Sequence, residues 1–382
     1  MTPSPLPVNA ALDAYQAQAD ELLRGWQQQD AFAVEVFKHK HPRFLDDTIK
    51  WLPRRLSDSE VRAMTIDAAD AQLALARAYD FRDWPALAEH VAAVTESGAP
   101  VSRFERAVEA AIDGNVEVLS SLLSALPELV HARSQRVLCF DPAQHRATVL
   151  HYLAANGVEG YRQRSPKNAR AIARLLLEAG ADPNALAGMY GGECTTLSML
   201  VSSTPPAEAG VQVALIDALV DFGASVEASG VGAWTSPLVT ALVFGFHDAA
   251  EALVRRGARV DTVITAAGLG RHETVLALLP ASSADDRHRA FALATQRGHV
   301  EIARALLDAG ENPNRVHPPG MHAHATPLHH AALGGHEAVV RLLLERGARL
   351  DIKDTIYQAT AEGWAEHGGH PAIAAFLRGH DG

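Results

Sequence analysis

"TPLHHAALGGHEAVVRLLLERGARLD", residues 326–351, is the stretch whose reading decides the fold. Thr326 is a good N-cap, and Pro327 suits the first helical position, where its missing N–H costs no hydrogen bond. A short helix therefore starts here. Gly334 and Gly335 end it, the second suited to positive φ, and a second helix follows with Val339, Leu342, Leu343 and Arg346 at helical spacing until Gly347 closes it. "ARLD" then leads into a turn.

The same grammar recurs along the chain. Clear copies are "VLHYLAANG" with "ARLLLEAGADPN" (149–157 and 173–184), "SPLVTALVFGFHDAAEALVRRGARVD" (236–261), "ITAAGLGRHETVLALL" (264–279) and "FALATQRGHVEIARALLDAGENPN" (291–314). Weaker copies lie at 106–123, at 195–203 with 213–227, and at 359–377. That makes about eight units, close to a period of about 33 residues where no insertion intervenes. With T-P-L-H, A-A-x-x-G-H, L-L-L-x-x-G-A and D-x-N elements together, residues 104–378 resemble an ankyrin-repeat protein. The fold so implied is all-α, an ankyrin-repeat solenoid. Each helix pair is too short to bury its apolar stripe alone, so neighbours must supply the core, and Ala266, Ala267, Ala331 and Ala332 let inner helices approach.

Residues 1–98 carry Trp26, Trp51 and Trp84 and amphipathic periodicity without those signatures, as in "DAADAQLALARAYDF" (67–81) and "DWPALAEHVAAV" (83–94). Bacterial ankyrin proteins carry a leading module that looks similar, and a small helical module capping the first repeat is expected, joined through "TESGAPVS" (95–102).

Composition sets the function classes. The 382 residues carry a formal charge of -11, which disfavours nucleic-acid phosphates as partners. No early apolar h-region and no run of about 18 apolar residues occurs, so a cytoplasmic chain without membrane contact is expected. Cys139 and Cys194 are the only cysteines, too few for a disulfide framework or a thiolate zinc site. No nucleophile elbow, P-loop, dinucleotide fingerprint or H-E-x-x-H is present, so no cofactor and no catalytic residue is implied.

The histidines divide into two groups. His299, His336 and His370 sit at the turn between paired helices and His329 ends T-P-L-H. The resemblance makes both positions structural. His317, His322 and His324 fall in the finger before that repeat, where the template asks for no histidine. Three imidazoles there form a candidate metal set, although a Gly- and Pro-containing loop is no preorganised cage.

The resemblance implies a partner protein held on inner helices and finger loops, and Tyr190, Trp234, His322 and His324 are the expected contacts. An alternative lies in the insertions of the second and third repeats, residues 141–212. There Asp141, His145, His151, Tyr152, Tyr161, Arg162, Arg164, Tyr190 and Glu193 are expected to line one pocket for a small ligand or a reaction. Arg162, Arg164, Lys167 and Arg170 near a helix N-terminus would suit an anionic small molecule.

Overall fold

The structure, a computed structural model, describes residues 4–96, 98–227, 230–231 and 236–380; the expected contact Trp234 lies outside them. Chain contacts divide it into two compact units, one reaching residue 225 and including the strand at 230–231, the other running from 236 onward.

The first unit opens with α1 (Leu12–Gln27), α2 (Ala31–Lys40), α3 (Asp58–Ala63), α4 (Ala68–Ala78) and α5 (Trp84–Thr95). Local chemistry starts them where the sequence suggests. The Asp67 side chain accepts from Asp70 N and Asp70 reciprocates, while Asp83 accepts from Ala86 N with Pro85 in the first turn. Trp26 packs edge-on to Phe37 and Phe44, at 5.0 and 5.5 Å between ring centroids, and closes one small core. A second core gathers Tyr15, Leu75, Tyr79, Phe81, Leu87 and Val91.

Three helix pairs follow in the same unit. They are α6 (Pro100–Ile112) with α7 (Val116–Ala125), α8 (Val149–Tyr152) with α9 (Ala169–Glu178), and α10 (Thr196–Leu200) with α12 (Gln212–Asp221), the last interrupted by α11 (Thr204–Glu208). Helix α5 packs on α6, so the leading helices and the first repeats share one body. The finger of the third repeat departs from the all-α plan. Strands β1 (Ala187–Met189), β2 (Gly192–Cys194) and β3 (Gly230–Val231) form a small antiparallel sheet. Tyr190 and Gly191, at φ 53° and 75°, make the two-residue turn between β1 and β2, whose strand twist favours positive φ at both places.

The second unit holds five helix pairs: α13 (Pro237–Val243) with α14 (His247–Arg255), α15 (Val263–Gly268) with α16 (His272–Leu278), α17 (Ala284–Gln296) with α18 (Val300–Asp308), α19 (Pro327–Leu333) with α20 (Glu337–Glu345), and α21 (Ala361–His367) with α22 (Pro371–Gly379). Each odd-numbered inner helix packs on the next. Ala266, Ala267, Ala290, Ala294, Ala331 and Ala332 are wholly buried along that seam, and Leu306, Leu342 and Leu343 fill the core behind them. Burying each leucine contributes about 1.5–3 kcal/mol.

Polar ties set the register between neighbours. His329 Nδ1 accepts from Thr326 Oγ1 (2.8 Å), and its Nε2 reaches Ala359 O in the next repeat (3.2 Å). The Asn314 side chain donates to Gly347 O (2.9 Å) and accepts from Arg349 N (2.8 Å). His299 Nε2 reaches Gly268 O (3.3 Å), and His336 Nε2 reaches Gln296 O (3.0 Å). The rings of His299, His336 and His370 also crowd the turn glycine of the preceding repeat. A Cβ on Gly270, Gly298 or Gly335 would come within 2.8, 2.6 or 2.5 Å of the His299, His336 or His370 ring. Turn glycine and turn histidine are therefore one device shared by two repeats, which is the structural role expected of these histidines.

Candidate functional site

Burial and charge single out the insertions of the first unit. Glu105 on α6, Arg136 in the loop before α8, Glu159, and Arg162 in the 3-10 turn Gly160–Arg162 are all buried. Arg136 Nη2 donates to Glu105 Oε2 (2.9 Å) and its Nε lies 3.4 Å from Glu159 Oε1. Arg162 Nη2 lies 2.5 Å from Glu105 Oε2 and 2.9 Å from Glu109 Oε1. Burial alone would raise the Glu105 carboxyl, but Arg136 and Arg162 outweigh it and hold it down to about 2. Glu159 is held low by Arg136 and by hydrogen bonding from His145 against the same desolvation. All four groups stay ionised at neutral pH, and their two positive and two negative charges balance.

This network uses up much of the expected pocket. Tyr152 donates to Glu159 Oε1 (3.3 Å), and His145 shares that oxygen through Nε2 (3.4 Å) while its Nδ1 accepts from Ala147 N. His151 is the counterpart of His329, accepting at Nδ1 from Thr148. Tyr161 packs edge-on to Tyr79, 5.2 Å between centroids. Arg164 pairs with Glu109 (2.9 Å) and Asp113 (2.7 Å), so Arg162 and Arg164 answer acids of α6 rather than gathering for an anion. A single pocket lined by all nine expected residues does not form. Sequence proximity grouped them, whereas the alternation of buried and exposed positions separates them.

The remaining members, Asp141, Tyr190 and Glu193, reach the surface, where buried His145 forms part of the wall behind them. Asp141, His145 and Tyr190 line a cavity of about 710 Å³, and Asp141, His145 and Glu193 line an adjoining one of about 730 Å³. Sequence reasoning missed the other wall of the first cavity, which comes from the leading helices: Lys40, Trp51, Arg77 and Asp80, with Phe140 beside Asp141. Trp51, Phe140 and Tyr190 are 60%, 42% and 56% exposed.

In the second unit the histidine finger is docked, not solvated. His317 is buried, its N–H donates to Ala325 O (3.0 Å), and its ring stacks on His330 with centroids 4.2 Å apart. Burial pushes His317 down to about 3 and drives His330 well below the ordinary histidine value. His322, at φ 58°, reaches back to Val243 O at the end of α13 (3.4 Å). The candidate metal set of His317, His322 and His324 therefore does not converge, because the rings stack and bond to backbone instead. Among the described residues no group of three or more His, Cys, Asp or Glu is placed to hold a metal ion.

The half-buried His322 and His324 belong to a run of rings. His322 packs on Phe244 (5.9 Å), His324 on His322 (6.3 Å), on Trp364 (5.6 Å) and on Tyr357 (6.1 Å). The two ends, Phe244 and Tyr357, are 44% and 50% exposed. Asp354 anchors the Tyr357 end: it is buried, accepts from three backbone N–H groups of 356–359 and takes Trp364 Nε1 (3.1 Å).

Comparison with known proteins bears on this second unit first. A family model described as ankyrin repeats, in three copies, matches residues 263–354. Cyclin-dependent kinase inhibitor 2A of Homo sapiens is 32% identical over 122 residues, which is 31% of this chain and 76% of that protein. The chain belongs to the ankyrin-repeat family. The Monodelphis domestica protein of the same name is likewise 32% identical over 122 residues, covering 69% of its length. A longer alignment, 27% identical over 290 residues, joins 72% of this ankyrin-repeat chain to 10% of the ankyrin repeat and KH domain-containing protein mask-1 of Caenorhabditis elegans. Among the described residues no helix is long and apolar enough to cross a membrane.

Proposed function

We propose that this ankyrin-repeat chain is a protein-interaction module whose second unit receives a partner protein along the ring run from Phe244 to Tyr357. The observation that carries the reading is that run: two exposed aromatic ends joined by His322 and His324, fixed by a finger that is itself bonded down. Aromatic side chains on a rigid base are the usual anchors of protein interfaces, since they lose little conformational freedom on binding. The relatives named as kinase inhibitors act on proteins, and only that class of partner is carried over here. Tyr190, at its hairpin tip, is a further contact. Neither Cys139 nor Cys194 is in a disulfide, which suits the cytoplasm, and the leading helices suit the bacterial branch of the resemblance.

The test is affinity capture from the source cell with the full chain as bait. The wild type should retain a discrete protein that the Phe244→Ala, Tyr357→Ala double variant loses by tenfold or more at unchanged thermal midpoint. Equal retention by both refutes the surface.

A further inference from the structure

The cavity shared by the leading helices and the third-repeat hairpin has the makings of a ligand site, and all its walls lie in the first unit. Its volume, about 710 Å³, falls in the usual range for small-molecule pockets of about 300–1,000 Å³. Its apolar part is unusual for a surface. Three of the large hydrophobic side chains exposed on the described residues, Trp51, Phe140 and Tyr190, border this one opening. Flat rings left in water around a concavity offer stacking area without the entropy cost of ordering flexible chains.

The charges of the wall are uneven. Lys40, Lys50 and Arg77 face Asp80 and Asp141 across the same cavity. The Lys40 and Asp80 pair is closed, at 3.3 Å, and Asp80 Oδ2 also accepts from Gly160 N (2.6 Å). Arg77 differs. It joins no ion pair of the described residues, and its Nε is buried without a hydrogen-bond partner. Its place in the last turn of α4 complements the helix dipole, an effect any cation there supplies in water. That does not explain a buried donor left unpaired on a side chain that lines the cavity.

The backbone is pinned on both sides of the opening. Asp80 and Tyr190 are two of the few non-glycine residues with positive φ, at 62° and 53°. At Tyr190 that value belongs to the tight turn between β1 and β2, and at Asp80 to the turn that ends α4. Asp80 is held by Lys40, Gly160 N and the N–H of Cys139, which donates to its carbonyl (2.9 Å). Tyr190 is held by its hydroxyl, which donates to Asn156 Oδ1 (2.6 Å).

We infer that this cavity binds a small molecule made of a flat ring and one anionic group, carboxylate or phosphate, the ring lying among Trp51, Phe140 and Tyr190 and the anion received by Arg77. A guanidinium fork suits either oxyanion, since both offer two oxygens side by side. The site is independent of the protein-binding surface of the second unit.

Calorimetric titration of the full chain tests it with two matched pairs: 2-naphthoate against 2-naphthalenemethanol, and adenosine 5′-monophosphate against adenosine. The expected result is saturable binding of at least one anion at sub-millimolar concentration, weakened tenfold or more in its neutral partner. Arg77→Gln should weaken the anion by the same factor and leave the neutral compound unchanged, and Trp51→Ala should weaken both, each at unchanged thermal midpoint. Preference for the naphthoate assigns a carboxylate ligand and preference for the nucleotide a phosphate. Absence of saturable binding by either anion, or equal affinity of wild type and Arg77→Gln, overturns the inference.

Discussion

Replacing Gly298 by alanine tests how one repeat is locked to the next. The residue sits at φ 77°, where an alanine costs about 1–2 kcal/mol in backbone strain. Its new Cβ would lie 2.6 Å from His336 Nδ1, so the ring must retreat. Retreat breaks the 3.0 Å contact of His336 Nε2 with Gln296 O, worth about 1 kcal/mol net. The sum is about 2–3 kcal/mol. Urea unfolding followed by circular dichroism measures it, and hydrogen exchange places the loss in α17 and α19. In a His336→Ala background the steric part is gone, and Gly298→Ala should then cost only the strain, about 1–2 kcal/mol. Equal cost in both backgrounds would refute the shared-device account.

Three further outcomes are expected. The His317 and His330 rings have lowered folded values, so their neutral state favours folding above the unfolded value of 6.5, and stability falls as pH drops from there toward about 3. The loss is up to about 1.4 kcal/mol per pH unit for each proton taken up, and His317→Phe should flatten this slope in a urea series from pH 7.5 to 4.5. Arg162→Met leaves Glu105 facing Glu109 and Glu159 with one cation fewer, and should cost about 3–5 kcal/mol by the same assay. Gly363→Ala should instead stabilise, because a Cβ there meets only Ala359 at 3.6 Å, and the gain is about 0.5–1 kcal/mol, read as a raised thermal midpoint.

What the sequence revealed was whatever repeats. Thr326 with His329, Gly298 with His336 and Asn314 with Gly347 recur because every copy solves the same local problem, so their spacing exposes them. The ties that occur once were hidden. Glu105 meets Arg136 and Arg162 across intervals with no period, and burial of four charges follows from tertiary balance rather than from residue type. The finger at 316–325 offers a metal set or a partner contact when read from its histidines alone. His317 is buried and held neutral, so its ring stacks on His330 and bonds to Met321 O as a less polar side chain would pack. The cavity lay out of reach for another reason: Trp51 and Arg77 come from the leading helices and Tyr190 from a hairpin more than a hundred residues later. Tyr190 was legible as a finger-loop residue, whereas the β1–β2 hairpin that carries it was not, because the repeat template holds no strand there.

The central claim is that partner recognition runs along the rings of the second unit while the buried charges of the first are scaffold. Site-specific photo-crosslinking in the source cell tests it most directly, with benzoylphenylalanine placed at Phe244, at Tyr357 and, for contrast, at the exposed Val118 of α7. The account predicts one shared adduct mass from positions 244 and 357 and none of that mass from 118. The same adduct from Val118, with none from Tyr357, would contradict it.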